Sequence, residues 1–169
     1  VVRGEPDDMK GSGRRNSALL AIAPNSNNAV ILGRSPSIEP ITGNAYSHST
    51  RAGTFVVKNP ELEKLLRIIA VERLKIDEDK IEDWLNAQWK EMISKGGSVQ
   101  EGFDYLTAEE KHLYKIAPEI DQHWLVEQAD ARAQYTCQSQ SLNLFFPAGC
   151  DRTYFNSVHL KAMTAPYLK

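Results

Sequence analysis

Two short apolar runs in the chain have the pattern of strands that are buried on both faces. Residues 18–23 read Ala-Leu-Leu-Ala-Ile-Ala and residues 141–146 read Ser-Leu-Asn-Leu-Phe-Phe, with Pro24 after the first run and Pro147 after the second. Residues 54–58, Thr-Phe-Val-Val-Lys, add a segment of strong β-propensity. Strands that are apolar throughout and separated by helices are typical of parallel sheets covered by helices. The pattern therefore predicts an α/β fold with two or three strands.

Most of the remaining chain has apolar residues at the spacing of amphipathic helices. Asn59 and Pro60 have the residue types of a helix start, and Thr107 with Glu110 matches a capping box. Lys95, followed by two glycines, has the pattern of a helix end. The predicted helices are 60–74, one from 77 to the stop at Lys95, a short one from Thr107, 119–135 and 151–163.

Each long helix carries an apolar stripe that we expect to face the core. Trp84 and Trp89 could also form an aromatic ligand-binding site, but burying both side chains in a packing stripe gains more free energy than an exposed role would. We therefore interpret both as core residues. The four stripes are Leu62, Leu65, Leu66 and Ile69; Ile81, Trp84, Leu85, Trp89 and Met92; Ile120, Trp124, Leu125 and Ala129; and Tyr154, Phe155, Val158 with His159 or Leu160.

The composition is that of one ordinary globular domain. The 169 residues are 41% hydrophobic and 25% charged, and the net charge is −2. The chain is not basic, as a nucleic-acid-binding protein would be. It also has no polybasic segment that could bind an anionic membrane. No apolar run approaches the roughly 18 residues of a membrane span. We therefore expect neither nucleic acid nor a membrane as a partner.

The first residues, Val-Val-Arg-Gly-Glu-Pro, lack the apolar core of a signal peptide and an initiator methionine. They predict a chain that starts inside a larger protein, or one that was processed or trimmed. The chain has two cysteines, Cys137 and Cys150, and so few are typical of a reducing cytoplasm. Neither has a metal-binding spacing with the four scattered histidines, so no metal site is expected.

Four small polar residues, Asn25, Ser26, Asn27 and Asn28, follow the first apolar run and precede a helical turn that ends at Gly33. The first amide N–H groups of a helix have no partner within it. Together with the positive end of the helix dipole they suit a phosphate. The same residue types are also the preferred helix caps. The local chemistry therefore leaves two interpretations open, a phosphate cradle and an ordinary cap.

Several segments, taken in order, resemble the large subunit of class I ribonucleotide reductases. They include the polar loop, the segment after it, a later helix and the second apolar run. The resemblance extends over almost the whole chain, and several motifs at compatible spacing make it specific. The segments are 16–28 with 35–40, Asn44-Ala-Tyr, Arg51-Ala-Gly, Val57-Lys-Asn-Pro60, 113–122 and 138–146.

The resemblance implies a fold and a division of the chain. The large subunit of this family holds its active site in a ten-stranded α/β barrel. The chain would be a partial, mostly helical segment of that barrel with two or three strands. Residues 1–169 would form a C-terminal part of the barrel domain, with a phosphate-binding loop at 18–40, a helical segment at 60–135, and a barrel strand with its following helix at 141–163.

The family reduces ribonucleoside diphosphates to deoxyribonucleotides, the precursors of DNA, by radical chemistry. The resemblance implies that the polar loop binds the substrate diphosphate, that Pro24 sets the entry angle and that Ala29 keeps the approach open. It implies three partners, which are the ribonucleoside diphosphate, a small (beta) subunit and a second large subunit. The implied diphosphate-binding residues are Pro24, Asn25, Ser26, Asn27, Asn28 and Ala29.

The catalytic residues of the family are not found in this chain. The family uses a cysteine that becomes a thiyl radical, a redox cysteine pair and a loop with an asparagine and a glutamate. Cys137 and Cys150 match none of these positions, and both are interpreted as structural or incidental thiols. The chain ends at Tyr167-Leu-Lys without the paired tyrosines of the family's relay. We therefore expect the isolated chain to be inactive and truncated at both ends.

The resemblance also bears on cofactors. The family's radical is generated in a separate, metal-containing small subunit, and its electrons come from a thioredoxin- or glutaredoxin-type reductant. We therefore expect this segment itself to bind no cofactor and no metal.

Two further interpretations remain open at the level of sequence. The chain could be a stand-alone phosphate- or nucleotide-binding module, which would have to fold alone and melt in one step. It could also be an interaction protein that works through the helix with Trp84 and Trp89. That interpretation predicts that substitutions at the four positions Asn25 through Asn28 leave the function unchanged.

Overall fold

The computed structural model describes residues 18–22, 32, 38–51 and 53–168 of the chain. The described residues divide into two compact units. One unit contains residues 18–22 and 121–168, and the other contains the described residues between 32 and 120.

A β-hairpin begins the larger unit. Strand β1, Ala45–Thr50, pairs antiparallel with β2, Gly53–Lys58, in a register that places Ala45 opposite Lys58 and His48 opposite Phe55. The hairpin confirms the β-propensity of 54–58. It is the one sheet within the described residues, and it is antiparallel. The predicted parallel sheet is therefore wrong for the part of the chain that the structure describes.

The two apolar runs that we predicted as strands are irregular. Residues 18–22 and 141–146 form no strand. The predicted burial is also wrong for 141–146, where side chains are exposed or half-buried. A strand needs a continuous ladder and cross-strand side-chain pairs along its length. No described strand runs beside either segment to provide them.

Helix α1 follows the hairpin directly and spans Pro60–Ile68. The side chain of Asn59 caps it and accepts hydrogen bonds from the amides of Glu61 and Leu62, at 3.1 and 3.4 Å. The helix continues as a wider π-helical turn, Ile69–Arg73. The predicted helix over 60–74 is confirmed, with a change of pitch in its second half.

Helix α2 spans Ile81–Ser94 and is preceded by a 3₁₀ turn, Glu78–Lys80. It ends as predicted at two glycines, Gly96 and Gly97, with φ values of +67° and +85°. The backbone packs closely at the second of them. A Cβ at Gly97 would lie 2.6 Å from the Cα of Gly43. Only glycine fits this contact, because such an approach is far inside van der Waals distance.

The core of this unit is formed by the predicted stripes of α1 and α2 and by the loop after α2. Trp89 is 2% exposed, and Trp84 packs against the same cluster, so the interpretation of both tryptophans as packing residues is confirmed. The buried cluster consists of Ala45, Leu62, Leu66, Ile69, Leu85, Trp89, Met92, Val99, Phe103 and Leu106.

A short helix, α3, spans Ala108–Leu113 and begins with the predicted capping box. The hydroxyl of Thr107 accepts from the Glu110 amide at 3.2 Å, and the Glu110 carboxylate accepts from the Thr107 amide at 2.7 Å. A 3₁₀ turn, Ala117–Glu119, ends the unit. The predicted start of a long helix at Glu119 is therefore wrong, since Pro118 sits in this separate turn.

The smaller unit contains two helices, α4 at Gln122–Ala133 and α5 at Arg152–Thr164, capped by Asp121 and Asp151. The helix predicted at 151–163 is confirmed. Trp124, predicted to face the core, is 57% exposed. A helix turns about 100° per residue, so Trp124 leaves the face that buries its neighbours. That face consists of Gln122, Leu125, Val126, Ala129 and Ala133.

The apolar side of α5 is less buried than predicted. Val158 is fully buried, but Phe155 and Leu160 are 41% and 60% exposed. Tyr154 and His159 are half-buried. Only part of the predicted stripe on this helix therefore packs within its own unit.

Candidate functional site

The predicted diphosphate-binding residues lie outside the described residues. These are Pro24, Asn25, Ser26, Asn27, Asn28 and Ala29. Their role stays a prediction. The structure does describe the chain before them, at 18–22, and after them, from residue 38 onwards.

The segment before the loop is held by Cys137. The amide of Cys137 donates to the carbonyl of Leu20 at 2.9 Å, and the amide of Leu19 donates to the Cys137 sulfur at 3.4 Å. Cys137 follows the end of α4 and is itself exposed. Two contacts from one residue to two adjacent residues fix the position and the direction of the segment that leads to the loop.

The segment after the loop is fixed by backbone contacts and by a buried asparagine. The Ala117 amide donates to the Ile41 carbonyl at 2.8 Å. Asn44 is 1% exposed. Its side-chain amide donates to the carbonyls of Gly97 and Tyr114, at 3.2 and 2.8 Å. A buried side-chain amide with several partners holds its chain segment rigidly.

The ends of α4 and α5 share a polar network that the sequence did not reveal. His123 Nδ1 lies 2.8 Å from Asp121 Oδ1, and His123 Nε2 lies 3.0 Å from Ser157 Oγ. The Tyr154 hydroxyl donates to Asp121 at 3.0 Å, and the Ser157 hydroxyl donates to the Tyr154 carbonyl at 2.8 Å. These residues lie about thirty positions apart, and no local motif marks the pairing. Because the Ser157 proton is engaged within its own helix, the network joins the two helices and does not form a nucleophile.

The electrostatics of this network follow from its hydrogen bonds. Partial burial of Asp121 opposes its ionisation, but hydrogen bonds from His123 and Tyr154 outweigh it and hold the pKa of Asp121 below its usual value. Partial burial raises the pKa of Tyr154, and the adjacent Asp121 carboxylate raises it further. The site therefore contains a carboxylate and a neutral phenol at neutral pH.

No metal-binding arrangement is found within the described ranges, where no three His, Cys, Asp or Glu residues form a group that could hold an ion. Cys137 and Cys150 are not joined in a disulfide. Among the described helices, none has the length and apolar character needed to cross a membrane.

Comparison with known proteins agrees with the resemblance in the sequence. Residues 6–165 match a family described as "Ribonucleotide reductase, barrel domain". The chain is 44% identical over 157 residues to a putative ribonucleoside-diphosphate reductase large subunit of Frog virus 3 (isolate Goorha). It is 38% identical over 163 residues to the ribonucleoside-diphosphate reductase large subunit of Invertebrate iridescent virus 6. These matches cover 93% and 95% of the chain but 26% and 16% of the relatives.

A solved structure agrees as well. The alpha subunit of the class Id ribonucleotide reductase of Actinobacillus ureae superposes with a TM-score of 0.70 at 35% identity. The superposition covers 95% of this chain and 26% of that one.

The matches define a segment of an α/β barrel from a nucleotide-reducing enzyme family. The chain belongs to the ribonucleotide reductase barrel-domain family. The family and the fold class that the sequence indicated are thereby confirmed. The chain spans about a quarter or less of the length of the relatives compared above.

Proposed function

We propose that the chain supplies the substrate-diphosphate-binding segment of a class I ribonucleoside-diphosphate reductase large subunit. The whole enzyme would reduce ribonucleoside diphosphates to deoxyribonucleotides for DNA precursor synthesis. The observation that carries this proposal is the family match, which spans residues 6–165 and so includes the 18–40 loop. The names of the relatives, all large subunits of this reductase, support the same substrate class.

The chemistry of the loop supports diphosphate as its ligand. The backbone amides from Asn25 to Asn28 would donate to phosphate oxygens, assisted by the Ser26 hydroxyl and the asparagine amides. No carboxylate lies between Asn16 and Ile38 to repel an anion. Hydrogen bonds to a charged acceptor contribute about 1.5–3 kcal/mol each, so a few such donors would dominate substrate affinity.

The same proposal includes the partners and the source of the radical. A separate, metal-containing small subunit would generate the radical, and a thioredoxin- or glutaredoxin-type protein would return electrons. A second large subunit would complete a dimer, and the cytoplasm is the compartment in which these reductants act. This segment would contribute binding and orientation, because Cys137 and Cys150 match no redox position of the family.

The test replaces two loop residues in a full-length large subunit that carries this segment. Ser26→Asp with Asn27→Asp removes donors and adds repulsion. We expect the dissociation constant for the ribonucleoside diphosphate to rise by about tenfold or more for each charge-assisted bond that is lost. Ser47→Asp with Asn86→Asp makes the same chemical change at exposed positions of β1 and α2 and serves as the control. Unchanged diphosphate affinity in the loop variant would remove this loop from the binding site.

A second candidate function is a stand-alone phosphate-binding module. It is favoured by the core of the larger unit, where Leu62, Leu66, Trp89 and Met92 are buried together without any other chain. Stability and binding measurements on the isolated chain separate the two proposals, whereas an activity assay with a small subunit and a reductant does not. We expect no deoxynucleotide in either case. A single cooperative melt together with pyrophosphate binding by calorimetry would support the module, whereas aggregation would support a segment of a larger barrel.

A further inference from the structure

We propose that His123 is a proton-dependent clamp between the two helices of the smaller unit. Protonation of its imidazole completes a hydrogen bond from α4 to Ser157 of α5, and loss of the proton removes that bond. The clamp is independent of the proposed function, because it involves no residue of the diphosphate loop. All of the contacts that form it lie within one compact unit.

The first ring nitrogen of His123 faces a carboxylate. His123 Nδ1 lies 2.8 Å from Asp121 Oδ1, and the His123 amide and the Tyr154 hydroxyl donate to the same oxygen at 3.0 Å each. Partial burial of Asp121 is outweighed by these hydrogen bonds, so its pKa stays below the usual value and the group is ionised at neutral pH. A carboxylate can only accept, so Nδ1 carries a proton in this contact.

The second ring nitrogen faces a hydroxyl whose proton is already engaged. His123 Nε2 lies 3.0 Å from Ser157 Oγ, and Ser157 Oγ lies 2.8 Å from the Tyr154 carbonyl. A serine hydroxyl has one proton, and bonds to a carbonyl three residues earlier are common for serine in a helix. We therefore assign the proton to the shorter contact, which lies within α5. Only lone pairs of Oγ then face the ring, so Nε2 carries a proton as well.

The complete set of contacts thus belongs to the positively charged ring with a proton on both nitrogens. A neutral imidazole has one proton and gives up one of the two contacts. The Asp121 carboxylate keeps that proton on Nδ1, so deprotonation removes the contact with Ser157. The stability that the clamp contributes is present at low pH and is lost as the pH rises and the ring loses its proton.

The clamp lies in a seam along which α4 and α5 run parallel. His123 lies opposite Ser157, and one turn further along Glu127 pairs with Lys161 at 2.9 Å. The Tyr154 ring packs edge-on against the imidazole, with the ring centroids 5.4 Å apart, and limits its rotation. The titratable groups around the imidazole come from both helices and from the start of α5, and they are Asp121, Glu127, Tyr154, Lys161, Cys150 and Asp151.

The test is hydrogen exchange of the α5 amides in a full-length large subunit that carries this segment. Ser157→Ala removes the acceptor of the Nε2 proton. The matched control is Ser94→Ala, because the Ser94 hydroxyl also donates to a carbonyl three residues earlier, that of Glu91, at 2.7 Å, at the exposed end of α2. Each exchange rate is divided by that of the natural protein at the same pH, which cancels the intrinsic effect of pH on amide exchange.

We expect Ser157→Ala to speed exchange of the α5 amides by about 3- to 10-fold at about pH 5, the effect of one lost hydrogen bond. At about pH 8 the factor should be less than about twofold, since histidine side chains change charge between these values. Ser94→Ala should change exchange of the α2 amides by the same factor at both.

A second variant, His123→Gln, tests whether the imidazole is the titrating group. Its side-chain amide lies near the place of Nε2 and can donate to Ser157 at either pH. Adding Ser157→Ala to His123→Gln should therefore speed exchange by the same factor at about pH 5 and about pH 8. A dependence on pH that persists in this background would assign it to another group and overturn the inference.

Two further results would overturn the clamp. An equal effect of Ser157→Ala alone at both pH values would make Ser157 part of a joint that does not respond to protons. A larger effect at about pH 8 would mean that the hydroxyl donates to a neutral ring, which is the opposite assignment of the proton.

Discussion

Asn59 donates two hydrogen bonds to Asn44, one from its backbone amide to the Asn44 carbonyl at 2.8 Å and one from its side chain to Asn44 Oδ1 at 2.9 Å. The residue that caps α1 therefore also closes the base of the hairpin. Asn44 in turn donates to two further segments. Its backbone amide and its side-chain amide both donate to the Gly97 carbonyl, and the side-chain amide also donates to the Tyr114 carbonyl. One buried asparagine thus joins the hairpin, α1 and the segments after α2 and α3.

Asn44→Ala should lower the free energy of unfolding by about 1–3 kcal/mol, because it leaves the partly buried Tyr114 carbonyl and Asn59 side chain without their partner. Denaturant unfolding followed by tryptophan fluorescence measures the change. Asn86→Ala, at an exposed position of α2, is the matched control and should change stability by less than about 0.5 kcal/mol. An equal effect of both substitutions would contradict the role of Asn44 as a junction.

Thr107→Ala should cost about 1 kcal/mol of stability, since it removes the hydroxyl that accepts from the Glu110 amide at the start of α3. The measurement is the shift of the urea midpoint at constant slope. Thr107→Ser keeps the hydroxyl and should stay within about 0.5 kcal/mol of the natural protein. A loss of equal size in Thr107→Ser would show that the methyl group, and not the cap, is what matters.

Glu110 should make stability depend on pH in the acid range. The Arg73 guanidinium donates to both carboxylate oxygens, at 2.9 and 3.0 Å, and with Thr107 it holds the pKa of Glu110 at about 2, below the ordinary value of 4.5. A lowered pKa in the folded state gives stability that is present above pH 4.5 and is lost as the pH falls towards 2.

Glu110→Gln tests this dependence. The free energy of unfolding of the natural protein should fall between pH 4.5 and about 2, and the difference from Glu110→Gln should shrink over the same range. Because Arg73 is 43% exposed, added salt should reduce the difference as well. A difference between the two proteins that stays constant over this range would contradict the assignment.

Lys75→Gly should raise stability by about 0.5–1 kcal/mol. Lys75 has a φ of 55°, a left-handed conformation that is costly for a residue with a side chain and free for glycine. Lys90→Gly makes the same exchange inside α2 and should lower stability by about 1 kcal/mol, because glycine is a poor helix former. Thermal unfolding of both variants provides the comparison, and a loss of stability in both would refute the strain at residue 75.

The elements that the sequence predicted well are those with local causes. Asn59 and Thr107 mark the starts of their helices in the sequence, because a capping side chain bonds to backbone amides only two or three residues away. The glycines at 96 and 97 end α2 for an equally local reason, their left-handed φ values. These signals lie within one turn of the chain, so periodicity and residue type were enough to find them.

The predictions that failed concern segments whose structure depends on partners far away in the sequence. Residues 18–23 and 141–146 have strand-like composition, but a strand exists only beside another strand, and composition cannot reveal the neighbour. The contact between Leu19 and Cys137 links residues 118 positions apart, and no motif connects them. For the predicted diphosphate-binding residues, local chemistry alone left two interpretations open, a helix cap and a phosphate cradle. The resemblance to a family, and not the local pattern, favoured the cradle.

The contact between Gly97 and Gly43 has a consequence for mutational tolerance. A saturation library at residue 97 should return glycine alone among well-folded variants, since even an alanine methyl would overlap the neighbouring backbone. A library at Gly96 should also return asparagine, because no atom lies within 4 Å of a Cβ there and asparagine tolerates a φ of +67°. Two adjacent glycines that both have a positive φ would thus differ in the substitutions that they accept, since one is limited by space and the other by conformation alone.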